Sequence, residues 1–150
     1  MVDATKQFYS QYIECLDNRR LSELHCFIAD DITYNSKPLT LDDFPQMLAE
    51  DVEQIPDLYY KIEAFEAGTD WIIAKLRFDC TPKGVFKGVP VNGKKVSFHE
   101  DVTYELEDGK IKRMCSNIDT AASRRRYLQK TIKIYHCYFG MHGFAFIKTI

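Results

Sequence analysis

Residues 96–110, VSFHEDVTYELEDGK, decide the fold. Val96, Phe98, Val102, Tyr104 and Leu106 alternate with Ser97, His99, Asp101, Thr103 and Glu105, the period of a strand with one buried face. Asp108-Gly109 is a strong two-residue hairpin signal, so a last strand returns from Lys110 to about Asp119. Upstream, Ile72, Ala74, Leu76, Phe78 and Cys80 alternate with Ile73, Lys75, Arg77 and Asp79. Before them, Leu58, Tyr60, Ile62 and Ala64 alternate with Tyr59, Lys61, Glu63 and Phe65, and Gly68-Thr69-Asp70 makes the turn between the two runs. Thr81 to Gly93 holds three glycines and two prolines and reads as a loop.

The first third of the chain has a helical period instead. Asp3 reads as an N-cap for a helix burying Phe8, Tyr9, Tyr12, Ile13 and Leu16. A shorter helix follows on Leu21, Leu24 and Ile28, ending at Asp30-Asp31. Ile32-Thr33-Tyr34 then forms a short strand, stopped by Asn35-Ser36-Lys37-Pro38. Thr40 and Asp43 form a capping pattern for a helix on Phe44, Met47, Leu48, Val52 and Ile55, which Pro56 ends. Helices followed by an antiparallel meander predict an α+β fold, with N-terminal helices packed on the concave face of a cone-like curved sheet. The concavity is where a ligand cavity forms.

The 150 residues suit one domain with a sizeable core, and 45% hydrophobic with 28% charged residues is ordinary for a globular chain. No apolar run is long enough to span a membrane, and residues 1–30 lack the hydrophobic block of a signal peptide. Five widely spaced cysteines without a C-x-x-C pair predict reduced thiols in the cytoplasm. Residues 124–150 hold six Lys and Arg and no acid, leaving 14 basic against 22 acidic residues in 1–123. A body this acidic repels a phosphate backbone, so no nucleic-acid partner is expected.

The stretches IPDLYYKIEAF (55–65), LRFDCTPKGVFKGVPVNGKKVSFHEDVTYELEDGKI (76–111) and NIDTAA (117–122) resemble the SnoaL-like polyketide cyclases, including the predicted ester cyclases, of the nuclear-transport-factor-2-like (NTF2-like) superfamily. The resemblance covers roughly residues 3–123, which sets the expected domain at 1–123 and leaves 124–150 as a basic, aromatic extension. It implies a homodimer without metal or organic cofactor. It also implies cyclase or isomerase chemistry on a small hydrophobic oxygenated metabolite in secondary-metabolite biosynthesis. Two positions depart from the cyclases. Ser116 stands where they carry an acid/base Asp, and Val102 where they carry a His. The last strand keeps Asp119 of the group's Trp-Ser-x-Ile-Asp ending but has Cys115 for the Trp.

Glu100 is the sharpest candidate. It interrupts the apolar face of its strand, where a carboxylate must be paired, hydrogen-bonded or shifted toward neutrality, conditions that suit a general acid or base. Its structural alternatives are a bulge at 99–101 that turns it to water, or a pairing with Arg77. Asp119 is the second catalytic candidate and equally a helix N-cap. Tyr34, Phe78, Phe98, Val102, Tyr104 and Ser116 are the expected substrate contacts. His99 falls on the opposite face, and no His, Asp and Glu set has metal-ligand spacing. A non-catalytic binding or dimerisation module and an epoxide hydrolase of the same fold are the rival readings. The latter requires an Arg inside the cone. Tyr59, Phe65 and Ile73 are expected on the outer face of the sheet, as a dimer contact.

Overall fold

The computed structural model describes residues 2–86 and 89–120. Its elements are α1 (Val2–Asp17), a 3-10 helix (Leu21–Cys26), β1 (Ile28–Tyr34), β2 (Lys37–Thr40), α2 (Asp43–Gln54), β3 (Lys61–Ala67), β4 (Trp71–Cys80), the short β5 (Val85–Phe86) and β6 (Val89–Pro90), β7 (Val96–Glu107) and β8 (Lys110–Thr120). Six strands form one curved sheet in the order β2-β1-β8-β7-β4-β3, with β5 and β6 paired separately. Every pairing is antiparallel except β1 with β8. The α+β class read from the sequence is the one observed.

The inner face of the sheet and the helices share one core. α1 contributes Tyr9, Tyr12, Ile13 and Leu16, the stripe read from its spacing, and the sheet contributes Ile72, Leu76, Tyr104, Ile111 and Met114. Each such side chain contributes about 1.5–3 kcal/mol when fully buried. The turn between β7 and β8 carries positive φ at Asp108 (51°) and Gly109 (75°), the geometry that a two-residue hairpin matched to strand twist requires. Thr40 and Asp43 bond reciprocally, Asp43 N–H to Thr40 Oγ1 at 3.2 Å and Thr40 N–H to Asp43 Oδ2 at 2.8 Å. The reciprocal bonds read from the sequence form, but they close the turn ahead of α2, whose N-cap is Asp42 and carries no side-chain cap bond.

Four expectations need correction. Asp3 lies in the first turn of α1 and does not cap it, because the helix already begins at Val2. There it faces the positive end of the helix dipole. The second helix stops at Cys26, and Ile28 belongs to β1. Ile28 and Ile32 are both buried four residues apart, a spacing shared by a helical turn and by one face of a strand. Lys37-Pro38 does not end the sheet. It opens β2, an edge strand, where a proline's missing N–H faces no partner. Asn35 and Ser36, at φ 48° and 67°, make the tight turn into it. Finally, β3 starts at Lys61 and its register with β4 shifts between Ile62 and Ala64. That shift turns Phe65 inward, with its ring 5.3 Å from that of Tyr9, so Phe65 is not on the outer face.

Among the described residues Cys15, Cys26 and Cys80 carry free thiols. Among the described residues no helix is long and apolar enough to cross a membrane. The basic extension at 124–150 lies outside the described residues.

Asp57 fixes the chain after β4 by accepting from Thr81, through its backbone N–H at 2.8 Å and its hydroxyl. These bonds hold the Asp57 carboxyl below its usual range. A depressed carboxyl contributes stability above its unfolded value of about 4 and loses it as pH falls through the folded value. Acid titration followed by circular dichroism should therefore show Asp57→Asn less stable than the parent near neutrality. The difference should narrow steadily below about pH 4.

Candidate active site

Between α2, the C-terminal half of α1 and the concave face lies an open cavity of about 100 Å³. It is concave and mostly apolar in its lining, as ligand pockets are, but smaller than most. Its walls are largely aromatic. Phe78 and Phe98 stack with centroids 5.0 Å apart, and Tyr60 meets Phe78 edge-on at 5.2 Å. Tyr34 packs on Phe44 of α2, and Tyr12 on Tyr104. Tyr34, Phe78, Phe98, Val102 and Tyr104, all named from the sequence, line this one cavity together with Glu100.

Glu100 reaches the cavity because β7 is regular around it. The β4–β7 register runs unbroken from Trp71↔Glu105 to Cys80↔Val96, so no bulge forms at 99–101 and Glu100 keeps the parity of Phe98 and Val102. Arg77 lies on the opposite face. It bonds Asp79 at 3.1 Å and approaches Glu63 at 4.0 Å, and His99 on that face pairs with Glu63 at 3.1 Å. Arg77 therefore neither pairs with Glu100 nor enters the cone. No Arg, Lys or His lines the cavity among the described residues, which removes the arginine that the epoxide-hydrolase reading required.

The side chain of Ser116 is the immediate partner of Glu100. Its hydroxyl donates to Oε1 of the carboxylate. The pair joins two adjacent strands, β8 and β7. Asn35 aligns it: its N–H donates to Met114 O at 2.9 Å, and its Oδ1 accepts from Ser116 N–H at 2.7 Å. These bonds continue the β1–β8 ladder one step past Tyr34.

Three further polar groups at the cavity, Tyr12, Asp51 and Tyr60, are not read as site residues from the sequence. Asp51 of α2 stands at the exposed rim. It occupies the helical stripe of Phe44, Met47, Leu48 and Ile55, so an acid interrupts an apolar face there as Glu100 does on β7. In sequence, Val52 completes the same stripe equally well. Tyr60 was read only as a strand residue. It precedes β3, held by its N–H donating to Asp17 Oδ1 at 2.7 Å, while Arg19 donates to Leu58 O and lies over the Tyr59 ring.

Burial, seconded by the Glu100 charge, pushes Tyr34 up to about 12 and Tyr60 higher still. Burial likewise raises Tyr12 and Tyr104, with smaller contributions from neighbouring tyrosines and Glu100. All four phenols are protonated at neutral pH and serve as donors. The cavity thus combines a carboxylate acceptor, phenolic donors and a dry aromatic wall, the parts needed to move a proton on an apolar carbonyl compound. Among the described residues no cluster of three or more His, Cys, Asp or Glu is arranged to hold a metal. Asp119 pairs through its backbone with His99 of β7; its side chain lies outside what is described.

Comparison with known proteins agrees with this architecture. The sequence profile of the SnoaL-like polyketide cyclases matches residues 6–126. No curated protein is significantly similar in sequence. Among solved structures, a SnoaL-like polyketide cyclase from Agrobacterium tumefaciens is 36% identical, superposes with a TM-score of 0.77, and spans 81% of this chain and 96% of its own. IdmH from Streptomyces antibioticus, a candidate polyketide cyclase, is 14% identical with a TM-score of 0.66 over 86% of this chain and 96% of its own. A candidate ketosteroid isomerase from Kribbella flavida is 17% identical with a TM-score of 0.61 over 80% and 81%. The last two show the fold alone. With its profile match covering most of its length and a relative of this identity, the chain belongs to the SnoaL-like polyketide cyclase family.

Proposed function

We propose that this protein is a cofactor-independent cyclase that closes a ring on a hydrophobic, polyketide-like carbonyl compound, with Glu100 as the base. The observation that carries the reading is a carboxylate on the apolar inner face of β7, at a cavity lined by aromatic side chains. Glu100 removes a proton from the carbon beside one carbonyl. The resulting enolate attacks a second carbonyl of the same chain, and the aromatic walls hold the flexible substrate folded so that the two carbons meet. Protonated phenols stabilise the oxygen on which charge develops. Support comes from family membership and from an open cavity, since a binding or dimerisation module needs no carboxylate there. Asp119 is kept in this proposal as a second acid/base candidate. Asp119→Asn retains a capping oxygen without the charge, so loss of turnover in that variant would give Asp119 a chemical role.

The test uses a phenyl δ-diketone whose methyl ketone can close onto its benzoyl carbonyl; the aldol adduct then loses water to give a phenylcyclohexenone that absorbs in the near ultraviolet. The protein should accelerate closure at neutral pH in the presence of a metal chelator. A rate no greater than that of buffer would overturn the proposal.

The same reading includes a cytoplasmic homodimer assembled through the outer face of the sheet. There Trp71 and Ile73, neighbours on one face of β4, are 40% and 41% exposed. Exposed apolar side chains of this size are commonly covered by a partner. Sedimentation should show a dimer at micromolar concentration that Ile73→Lys dissociates. A monomeric parent would refute it.

A further inference from the structure

Asp51 stands where two local rules oppose an acid. It interrupts the apolar stripe of α2 between Leu48 and Ile55, and all three residues line the cavity. It also lies in the last turn of that helix, at the negative end of the helix dipole, with no basic residue in the turn to offset it. The neighbouring Glu50 does not line the cavity and accepts instead from Gln46 Nε2 at 3.1 Å. Residues that break the rules of their own element concentrate at functional sites.

The charge of the lining is one-sided. Asp51 from α2 and Glu100 from β7 are its only charged members among the described residues, and the others are aromatic or apolar. Burial and the Glu100 charge raise Tyr34 and Tyr60, and the Asp51 charge adds to both, so a carboxylate at the rim is felt among the rings. Walls of one sign backed by low-dielectric side chains concentrate ions of the opposite sign. Aromatic rings beside a carboxylate are a setting that receives an ammonium group. The reaction proposed above makes the same demand. Removing a carbon-bound proton leaves negative charge on the substrate, in a cavity that already holds Asp51. A substrate that brings its own positive charge offsets it.

We infer that the substrate carries an ammonium group, which Asp51 receives at the rim while the carbonyl end lies deeper, toward Glu100. Asp51 is then the residue that sets this specificity. The inference rests on the reading of this cavity as the site of reaction. Exposure gives the order in depth, since Asp51 is exposed and Glu100 half-buried. The two carboxylates keep separate tasks, one holding the cation and the other moving the proton. A substrate with a free carboxylate adds a third negative charge to the same walls and is rejected.

The experiment compares two ketones of one shape, para-acetylphenyltrimethylammonium and para-tert-butylacetophenone, which differ in a quaternary nitrogen against a quaternary carbon. The anion para-acetylbenzoate completes the set. Equilibrium dialysis with full-length protein at neutral pH should give the cation a Kd about tenfold below that of the tert-butyl ketone. Burial of apolar surface favours the hydrocarbon, so this order reports charge. The benzoate should bind more weakly than either. Asp51→Asn should bring the two ketones within about threefold of each other by weakening the cation alone, while Asp51→Glu keeps the preference. Added salt should narrow it in the parent, because Asp51 is exposed. The melting temperature of Asp51→Asn should stay level or rise, since the acid opposes the helix dipole. Equal affinity of the parent for both ketones, or an undiminished preference in folded Asp51→Asn, would overturn the inference. Exchange of the acetyl protons in D2O reads the base separately. Exchange without a cation preference would overturn the ammonium seat and leave Glu100 as base. A cation preference without exchange would uphold the seat and sink the base.

Discussion

Glu100→Gln should lower kcat for closure of the phenyl δ-diketone by about a hundredfold to ten-thousandfold, the range associated with a positioned acid or base. The melting temperature should stay level or rise. Glutamine keeps an oxygen that can accept from the Ser116 hydroxyl, and a carboxylate on an apolar face opposes folding unless fully compensated. A second readout is independent of turnover. The Glu100 charge helps raise Tyr34 to about 12 and raises Tyr60 too, so the variant's cavity phenols should titrate at lower pH in ultraviolet difference spectra. A loss of stability with undiminished turnover would make Glu100 structural.

Ile111→Ala should have the largest effect on stability. Ile111 is fully buried, pairs with Ile28 of β1 and Leu106 of β7, and donates its N–H to Phe27 O at 2.8 Å. It thus packs where the β7–β8 register shifts and where the parallel pairing begins. Truncating a buried isoleucine costs about 2–5 kcal/mol through lost burial and the cavity left behind. For a domain of this size that lowers the melting temperature by about 10 °C. Ile111 does not line the cavity, so kcat per folded molecule should hold below the transition. A fall in kcat matching that of Glu100→Gln would mean that the site and the core cannot be separated.

The sequence was legible where structure is local. The two-residue period of β7, the Asp108-Gly109 turn and the stripe of α1 each follow from neighbouring residues, and the parity of β7 was enough to aim Glu100 inward. It was least legible where a distant strand decides. The irregularity opposite Ile28 belongs to the β1–β8 pairing, and the register shift near Glu63 belongs to β3–β4; a one-residue slip of that kind turned Phe65 from the outer face to the core. Pro38 reads as a strand breaker until its strand is seen to lie at an edge. Asp51 is hard to read because a charged residue in a helical stripe looks like a gap in the pattern, whereas Glu100 interrupts an otherwise regular two-residue alternation on β7. Ser116 was named as a substrate contact, but its bond to Glu100 depends on a diagonal between strands that no one-dimensional period contains.

The central claim is that Glu100 removes a carbon-bound proton in this cavity. The most direct measurement is deuterium incorporation from D2O into the α-carbon of α-tetralone, a bicyclic aromatic ketone that cannot close a ring, followed by proton NMR with the parent and with Glu100→Gln. The account predicts incorporation well above buffer for the parent, falling to the buffer rate in Glu100→Gln although that variant remains folded. Incorporation at equal rates in the two proteins, or none above buffer in the parent, would contradict it.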